Sequence, residues 1–344
     1  MAKRRIIVLA DGRFDIFNAK TAVGVIRYCR EEVIALIDRY HVGKDPSEII
    51  GIGKGIPIAD SIEEILPLQP TDLLIGIAPP GGVLPPEWRK YLVDALKNRI
   101  NIISGLHYHI GEDPEFSQLA RDYRVKILDI RKSPEDLGIG TGKAKETKAV
   151  RILTVGSDCN VGKMVTSLEI TRAAKRRGVS ACFVATGQTG IMIEGAGIAV
   201  DHVLSDFISG AAEKLMLERA HYQLLSVEGQ GSLVHPAYSG VTLGLLHGIV
   251  PQGLILCHQP TRKMVRHTNF PLLPLPRLIE LYEGIAHPVH PCKVLGISLN
   301  CFGMSDQEAR EEIQNTEKET KLPATDPLKF GVDKFIDTIR PLLP

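Results

Sequence analysis

The chain has 344 residues, with 41 Lys and Arg against 40 Asp and Glu and a formal charge of +1. That length favours two domains over one core. So even a balance gives no global field to recruit nucleic acid or an anionic membrane, and 44% hydrophobic with 24% charged residues is an ordinary soluble globular composition.

The opening "MAKRRIIVLADGRF" has a basic start and then an apolar run, as a signal peptide does. Ile6 to Ala10 is too short for a signal core and stops at Asp11, so a first β-strand is expected. No apolar stretch approaches the ~18 residues of a membrane span. The six cysteines (29, 159, 182, 257, 292 and 301) show no paired spacing, which fits reduced thiols in a cytoplasmic enzyme.

After the strand "RRIIVLA" (4–10), "NAKTAVGVIRYC" (18–29) has helical spacing. Short apolar runs follow at 32–38, 72–78, 100–105 and 124–130. Strands without alternation, separated by helical segments, predict a parallel sheet covered on both faces. Within 53–82 a glycine turn and short strand lead to Ser61, which with Glu64 predicts a capping box opening a helix. The next strand ends in a Pro-Gly loop, at the edge where open α/β sheets place ligands. This run resembles the CoA-binding Rossmann domain of succinyl-CoA synthetase. A Rossmann-like domain used for dimerisation or substrate binding is the other reading.

From Arg131 the segment "RKSPEDLGIGTGKAKETKAV" is rich in charge and glycine and reads as a linker over 131–149. Its "GIGTGK" follows no strand, so no dinucleotide site is expected there. The boundaries are therefore a Rossmann-like domain over 1–130, the linker, and a second α/β domain over 150–344.

The second domain opens with "VRILTVGSDCNVGKM", a strand, a glycine loop and then a helical segment stopped by Gly178. Strand-like runs recur at 179–186, 222–232, 253–260 and 292–300, and the last ~40 residues read as helices. The loop Gly156, Ser157, Asp158, Cys159, Asn160, Val161, Gly162, Lys163 and Met164 is predicted to bind phosphate groups. Its N–H groups would share one concavity at the positive end of a helix, with the Lys163 charge added. It resembles the loop of dethiobiotin synthetase, Gly-Thr-Asp-Thr-x-Val-Gly-Lys-Thr, at Gly156, Asp158, Val161, Gly162 and Lys163. That enzyme's later Glu-Gly-x-Gly is matched by "EGQGS" after Val227. The resemblance implies a P-loop NTPase-like fold.

Met164 stands where a hydroxyl normally holds Mg²⁺, and a thioether is a poor ligand for that ion. Asp158, Glu228 or Thr166 could hold the metal instead, leaving ATP with Mg²⁺ as the ligand. The site could be vestigial. Or the ligand is a phosphate ester that reacts far from its phosphates, such as coenzyme A.

"GSDCNVGKM", the stretches 185–216 and 227–248, and "SGLHYHIGEDPEF" (104–116) together resemble a bacterial and archaeal P-loop family long catalogued as a domain of unknown function. Some of its members are D-glutamate N-acetyltransferases. The resemblance implies acetyl-CoA as co-substrate and an acidic amino acid, D-glutamate, as acceptor. It also makes methionine after the lysine usual. An ATP-dependent ligase or kinase and a non-catalytic nucleotide or CoA sensor are the alternatives.

Acetyl transfer to an amine needs a base and groups that hold the substrate. Glu228, at a strand end beside the loop, is the first candidate base; the other reading is a relic Mg²⁺-binding acid or a group that organises the loop electrostatically. Asp206 and His235 are further catalytic candidates, with helix capping and an ordinary loop histidine as the plainer readings. Thr186, Gln188, Thr189 and Asp201 are candidate substrate contacts. Arg262, with Lys263 and Arg266 nearby, is a candidate receptor for a substrate carboxylate. "HPVHPC" (287–292) lacks the helical context of a zinc site, and no metal is expected. The expected partners are a small amino acid and a second copy of the chain in a homo-oligomer, with no nucleic acid and no membrane.

Overall fold

The structure, a computed structural model, describes residues 4–16, 18–77, 79 and 82–344. The chain divides into two compact units, Met1–Ser133 with Ile191–Ala196, and Pro134–Gly190 with Gly197–Pro344. Among the described residues no helix is long and apolar enough to cross a membrane.

In the first unit six strands, β1 (Ile6–Leu9), β2 (Val33–Ile37), β3 (Ile58–Ala59), β4 (Asp72–Ile75), β5 (Asn101–Ser104) and β6 (Ile127–Asp129), form one sheet in the order β3-β2-β1-β4-β5-β6. Every pairing is parallel. Central β1 buries all four of its side chains, as a strand covered on both faces must. The helices are α1 (Lys20–Tyr28), α2 (Pro46–Ile50), α3 (Arg89–Lys97) and α4 (Pro114–Tyr123). Asp45 caps α2 in a capping box with Glu48, and Asp113 caps α4 ahead of Pro114.

The helix expected after Ser61 is instead a 3₁₀ segment, Glu63–Leu68. Ile62, not Ser61, precedes it, and the Ser61 hydroxyl donates to the Glu64 carboxylate at 3.2 Å. Pro67 lies inside this segment. It has no N–H and would crowd the carbonyl four residues back, which blocks an α-helix. The end of the 72–78 run (Ala78) and Pro80 and Gly81 of the expected Pro-Gly loop lie outside the described residues, as do residues 1–3 of the opening.

The second unit carries β7 (Val150–Gly156), β8 (Ala181–Val184), β9 (Leu224–Val227), β10 (Gly253–His258), β11 (Lys293–Leu299) and β12 (Ala324–Thr325). They pair in parallel in the order β12-β11-β10-β7-β9-β8. The two-residue β12 lies in a tail that the sequence assigns to helices. With the strands come α5 (Lys163–Arg176), α6 (Gln188–Glu194), whose residues 188–190 belong to this unit, α7 (Ile208–Glu218), α8 (Ser239–Ile249), α9 (Leu275–Ala286), α10 (Asp306–Thr320) and α11 (Asp333–Ile339). One face of the sheet packs Ile152 against Ile170 and Ala174 of α5 and Phe335 and Ile339 of α11. On the opposite face Leu153 and Val155 meet Leu215 of α7, Leu246 of α8 and Leu278 of α9. This is the alternation a two-sided strand requires.

Residues 134–149, expected as linker, pack as part of this unit. Ala144 and Ala149 are fully buried. The buried carboxylate of Glu213 on α7 accepts hydrogen bonds from the Thr141 N–H and hydroxyl, each at 2.9 Å, and from the Lys143 N–H. Local composition does not register an anchor that lies some seventy residues further along the chain.

Candidate functional site

The carboxyl ends of β7, β9 and β10, three adjacent strands, bring Ser157, Glu228 and His258 to one edge of the sheet. Open parallel sheets place their ligands at this edge.

The loop leaves β7 at Gly156, whose carbonyl accepts from the Ser232 hydroxyl at 2.8 Å and the Tyr282 hydroxyl at 2.7 Å. Asn160, exposed at the apex, takes the left-handed conformation at φ 55°. Buried Val161 plugs the loop from within. Gly162 starts α5 at φ 104°, a conformation that side chains rarely adopt. The backbone N–H groups of Asn160, Val161, Gly162, Lys163 and Met164 bond to no atom of the chain among the described residues. Five successive unpaired donors at a helix start are of the kind that suits an anion. Lys163 folds over them and donates to the Asp158 carbonyl at 2.9 Å; burial pushes its ammonium below the usual lysine range.

The groups considered as substitute Mg²⁺ ligands are all engaged. The fully buried Asp158 carboxylate accepts from the Arg262 guanidinium and the Arg266 N–H, both at 2.8 Å, and from the Cys159 N–H at 2.7 Å. Burial raises this carboxyl, yet those three donors outweigh it and hold it below its ordinary value. The Thr166 hydroxyl donates to the Gly162 carbonyl at 3.0 Å and meets the Ser298 hydroxyl at 2.7 Å.

Glu228 follows β9 and is buried. Its Oε2 accepts from the N–H groups of Thr186 and Gly187, each at 3.1 Å. Burial drives its carboxyl up to about 7, against those two bonds and the Gln230 amide, and the Asp201 charge raises it further. Thr186, expected to contact substrate, instead braces this acid, its hydroxyl donating to the Glu228 carbonyl. Gln188 and Thr189 open α6, half-buried, immediately after that brace. Asp201 is exposed in a 3₁₀ turn, Val200–His202.

The other two candidate catalytic residues, Asp206 and His235, differ in setting. Asp206 is exposed in the 3₁₀ turn Ser205–Phe207, where its hydrogen bond is with the Ser205 hydroxyl at 3.4 Å. It does not cap α7, which Phe207 precedes. His235 is buried with both ring nitrogens committed. Nδ1 accepts the Ala237 N–H at 3.2 Å, so Nε2 carries the proton and donates to the Arg266 carbonyl at 3.0 Å. Such a ring has no lone pair to offer as a base. The same bonds argue against a metal where donor atoms of Asp158, Cys159 and His235 lie within 4.8 Å of one another. Burial also raises the Cys159 thiol, with the Asp158 charge adding to it.

His258 joins the site without any local mark in the sequence. Its Nδ1 lies 2.9 Å from the Ser157 hydroxyl, and burial, then Lys263 and Arg262, lower its pKa to about 4, so it is neutral at pH 7. Read as the last residue of a strand, it acquires its place only through the pairing of β10 with β7. In the first unit "GLHYHIG" contributes His107, Tyr108 and His109 to an open pocket of about 310 Å³, with Glu112, Asp113 and Pro114.

A parallel sheet with a glycine loop running into α5 defines a P-loop α/β protein. Residues 138–336 match the P-loop domain of a family described as a domain of unknown function, DUF1611, and residues 39–133 match its N-terminal Rossmann-like domain. The chain belongs to this family. It is 41% identical over 282 residues to a D-glutamate N-acetyltransferase of a Pseudoalteromonas species, covering 80% of this chain and 83% of that one. A D-glutamate N-acetyltransferase of Tritonibacter scottomollicae is 35% identical over 333 residues, covering 94% and 95%. The crystal structure of a DUF1611 family protein from Anabaena variabilis superposes with a TM-score of 0.93 at 38% identity, over 98% of this chain and 99% of that one.

Proposed function

We propose that this protein is an N-acetyltransferase that moves the acetyl group of acetyl-CoA to the amine of an acidic amino acid, D-glutamate. Acetyl-CoA supplies the acetyl group as a thioester. The five free N–H groups of residues 160–164 and the Lys163 ammonium suit the phosphates of such a carrier. With the pantetheine arm folded back toward the loop, Glu228 takes the proton that the substrate ammonium must lose before its nitrogen attacks the thioester carbonyl, and CoA leaves as the thiol. The observation that carries this reading is the buried Glu228 carboxylate at the end of β9, held by the Thr186 and Gly187 N–H groups, where burial drives its carboxyl up to about 7 and makes it a better base than an ordinary carboxylate. The relatives named D-glutamate N-acetyltransferase supply the acceptor and its stereochemistry.

The test is thiol release from acetyl-CoA by the purified protein, with D-glutamate, L-glutamate or D-aspartate present, in EDTA and in Mg²⁺. Release that requires D-glutamate, persists in EDTA and accompanies N-acetyl-D-glutamate by mass is the expected result. ADP or phosphate formed from ATP only in Mg²⁺, with no thiol released, would assign the site to a ligase or kinase. Tight binding of CoA or ATP without turnover would make the protein a sensor.

A further inference from the structure

Arg262 has more donors than its own fold consumes. Nη1 donates to the Asp158 carboxylate at 2.8 Å and to the Cys159 carbonyl at 2.6 Å, and Nη2 donates to the Gln259 side chain at 2.8 Å. A guanidinium carries five N–H groups. The Nε–H and the second N–H of Nη2 therefore remain without a partner among the described residues. The side chain is 18% exposed, while the Asp158 side chain it pairs with is fully buried. The loop thus bears a cation locked by a carboxylate, with two unused donors of the kind that grips phosphate.

Both cations bond Asp158, Lys163 at its carbonyl and Arg262 at its carboxylate. In a metal-dependent loop a hydroxyl after the lysine positions Mg²⁺ to neutralise phosphate charge. Here that position is Met164, and Asp158, the alternative ligand for the ion, holds Arg262. A dication would have to enter beside a fixed positive charge.

We propose that Arg262 is the built-in counter-cation of the phosphate loop, standing in for the metal, and that buried Asp158 is its positioning residue. The proposal rests on the loop being the phosphate anchor of the proposed acetyltransferase, and it reassigns Arg262 from a substrate carboxylate to the phosphates of the carrier. It makes phosphate binding independent of Mg²⁺.

The experiment is calorimetric titration of the full chain with CoA, and separately with inorganic pyrophosphate, in EDTA and in Mg²⁺. The variants are Arg262→Ala combined with Asp158→Asn, which leaves no buried carboxylate unpaired, and Asp158→Asn alone, which retains the guanidinium. Wild-type affinity for CoA is expected to be the same in both media. The double variant is expected to bind roughly ten- to a hundredfold more weakly, the loss typical of a charge-assisted contact. Methylguanidinium should recover part of that affinity, and Asp158→Asn alone should lose less than the double variant. A wild type that binds CoA only with Mg²⁺, a double variant within twofold of wild type, or a single variant as weak as the double would each overturn the proposal. Arg262-dependent pyrophosphate binding without CoA binding would sink the acetyltransferase and leave the counter-cation standing. Intact D-glutamate acetylation with unchanged CoA affinity in the double variant would do the reverse.

Discussion

Thr154 and Gly229 approach more closely than any side chain would allow: a Cβ at Gly229 would lie 1.7 Å from the Thr154 carbonyl oxygen. The Gly229 N–H also bonds the Thr154 hydroxyl at 3.0 Å, and that hydroxyl donates to the Val227 carbonyl at 3.2 Å. This contact fixes Glu228 against β7 just before the phosphate loop. Gly229→Ala must push the two strands apart, an overpacking cost of about 3 kcal/mol or more. Urea denaturation and CoA titration should both register the change. A variant of wild-type stability would mean that the strands relax freely here and that Glu228 is not rigidly placed.

The Glu228 base has a pH signature. Its carboxyl lies at about 7, so kcat/KM for the amine substrate should rise with pH through that value and level off above it. Glu228→Gln should lose that limb together with about two to four orders of magnitude in rate, the usual worth of general-base catalysis. Initial rates from pH 5.5 to 9 provide the check. An unchanged limb in the glutamine variant would assign the base elsewhere.

Much of this architecture is legible in the sequence, because buried parallel strands and a glycine loop leave local marks. "VRILTVGSDCNVGKM" displays its strand, loop and helix start directly, and the loop falls where it should. Residues 134–149, expected as linker, carry no local mark of packing because their anchor, Glu213, is remote in sequence. His258 and Tyr282 were missed for the same reason: each reaches the loop through strand order or helix packing, which no local pattern encodes. His235 beside Glu228 invited a catalytic reading, yet only three-dimensional structure shows that its two nitrogens are already used.

Lys163 and His235 should separate cleanly by measurement. Lys163→Ala removes a charged donor from the loop and is expected to weaken CoA binding by about 1.5–3 kcal/mol, with little change in the pH limb assigned to Glu228. His235→Ala leaves the Ala237 N–H and the Arg266 carbonyl without the ring, and should cost about 1–3 kcal/mol of stability. Its kcat/KM should retain the wild-type pH dependence when assayed well below the melting temperature. A lost or shifted limb in the His235 variant would restore that residue as a proton carrier.

Glu228 and His258 flank the loop from opposite sides, and their ionisations act on stability in opposite directions. Glu228 has a folded value of about 7 against an ordinary 4.5, so the unfolded chain gives up this proton first as pH rises. Its contribution is complete below 4.5 and is lost as pH rises through 7, on the order of 3 kcal/mol in all. His258 has a folded value of about 4 against 6.5, so the unfolded chain takes up this proton first as pH falls. Its contribution is complete above 6.5 and is lost as pH falls through 4, by a similar amount. Between about 4.5 and 6.5 the two slopes nearly cancel in the wild type. Relative to wild type, Glu228→Gln should therefore gain stability with rising pH over 4.5–7. By the same comparison His258→Gln should gain stability as pH falls over 6.5–4. Urea midpoints measured at half-unit pH steps would reveal the pair. Two parallel difference curves, or two flat ones, would show that burial does not shift these groups as the site requires.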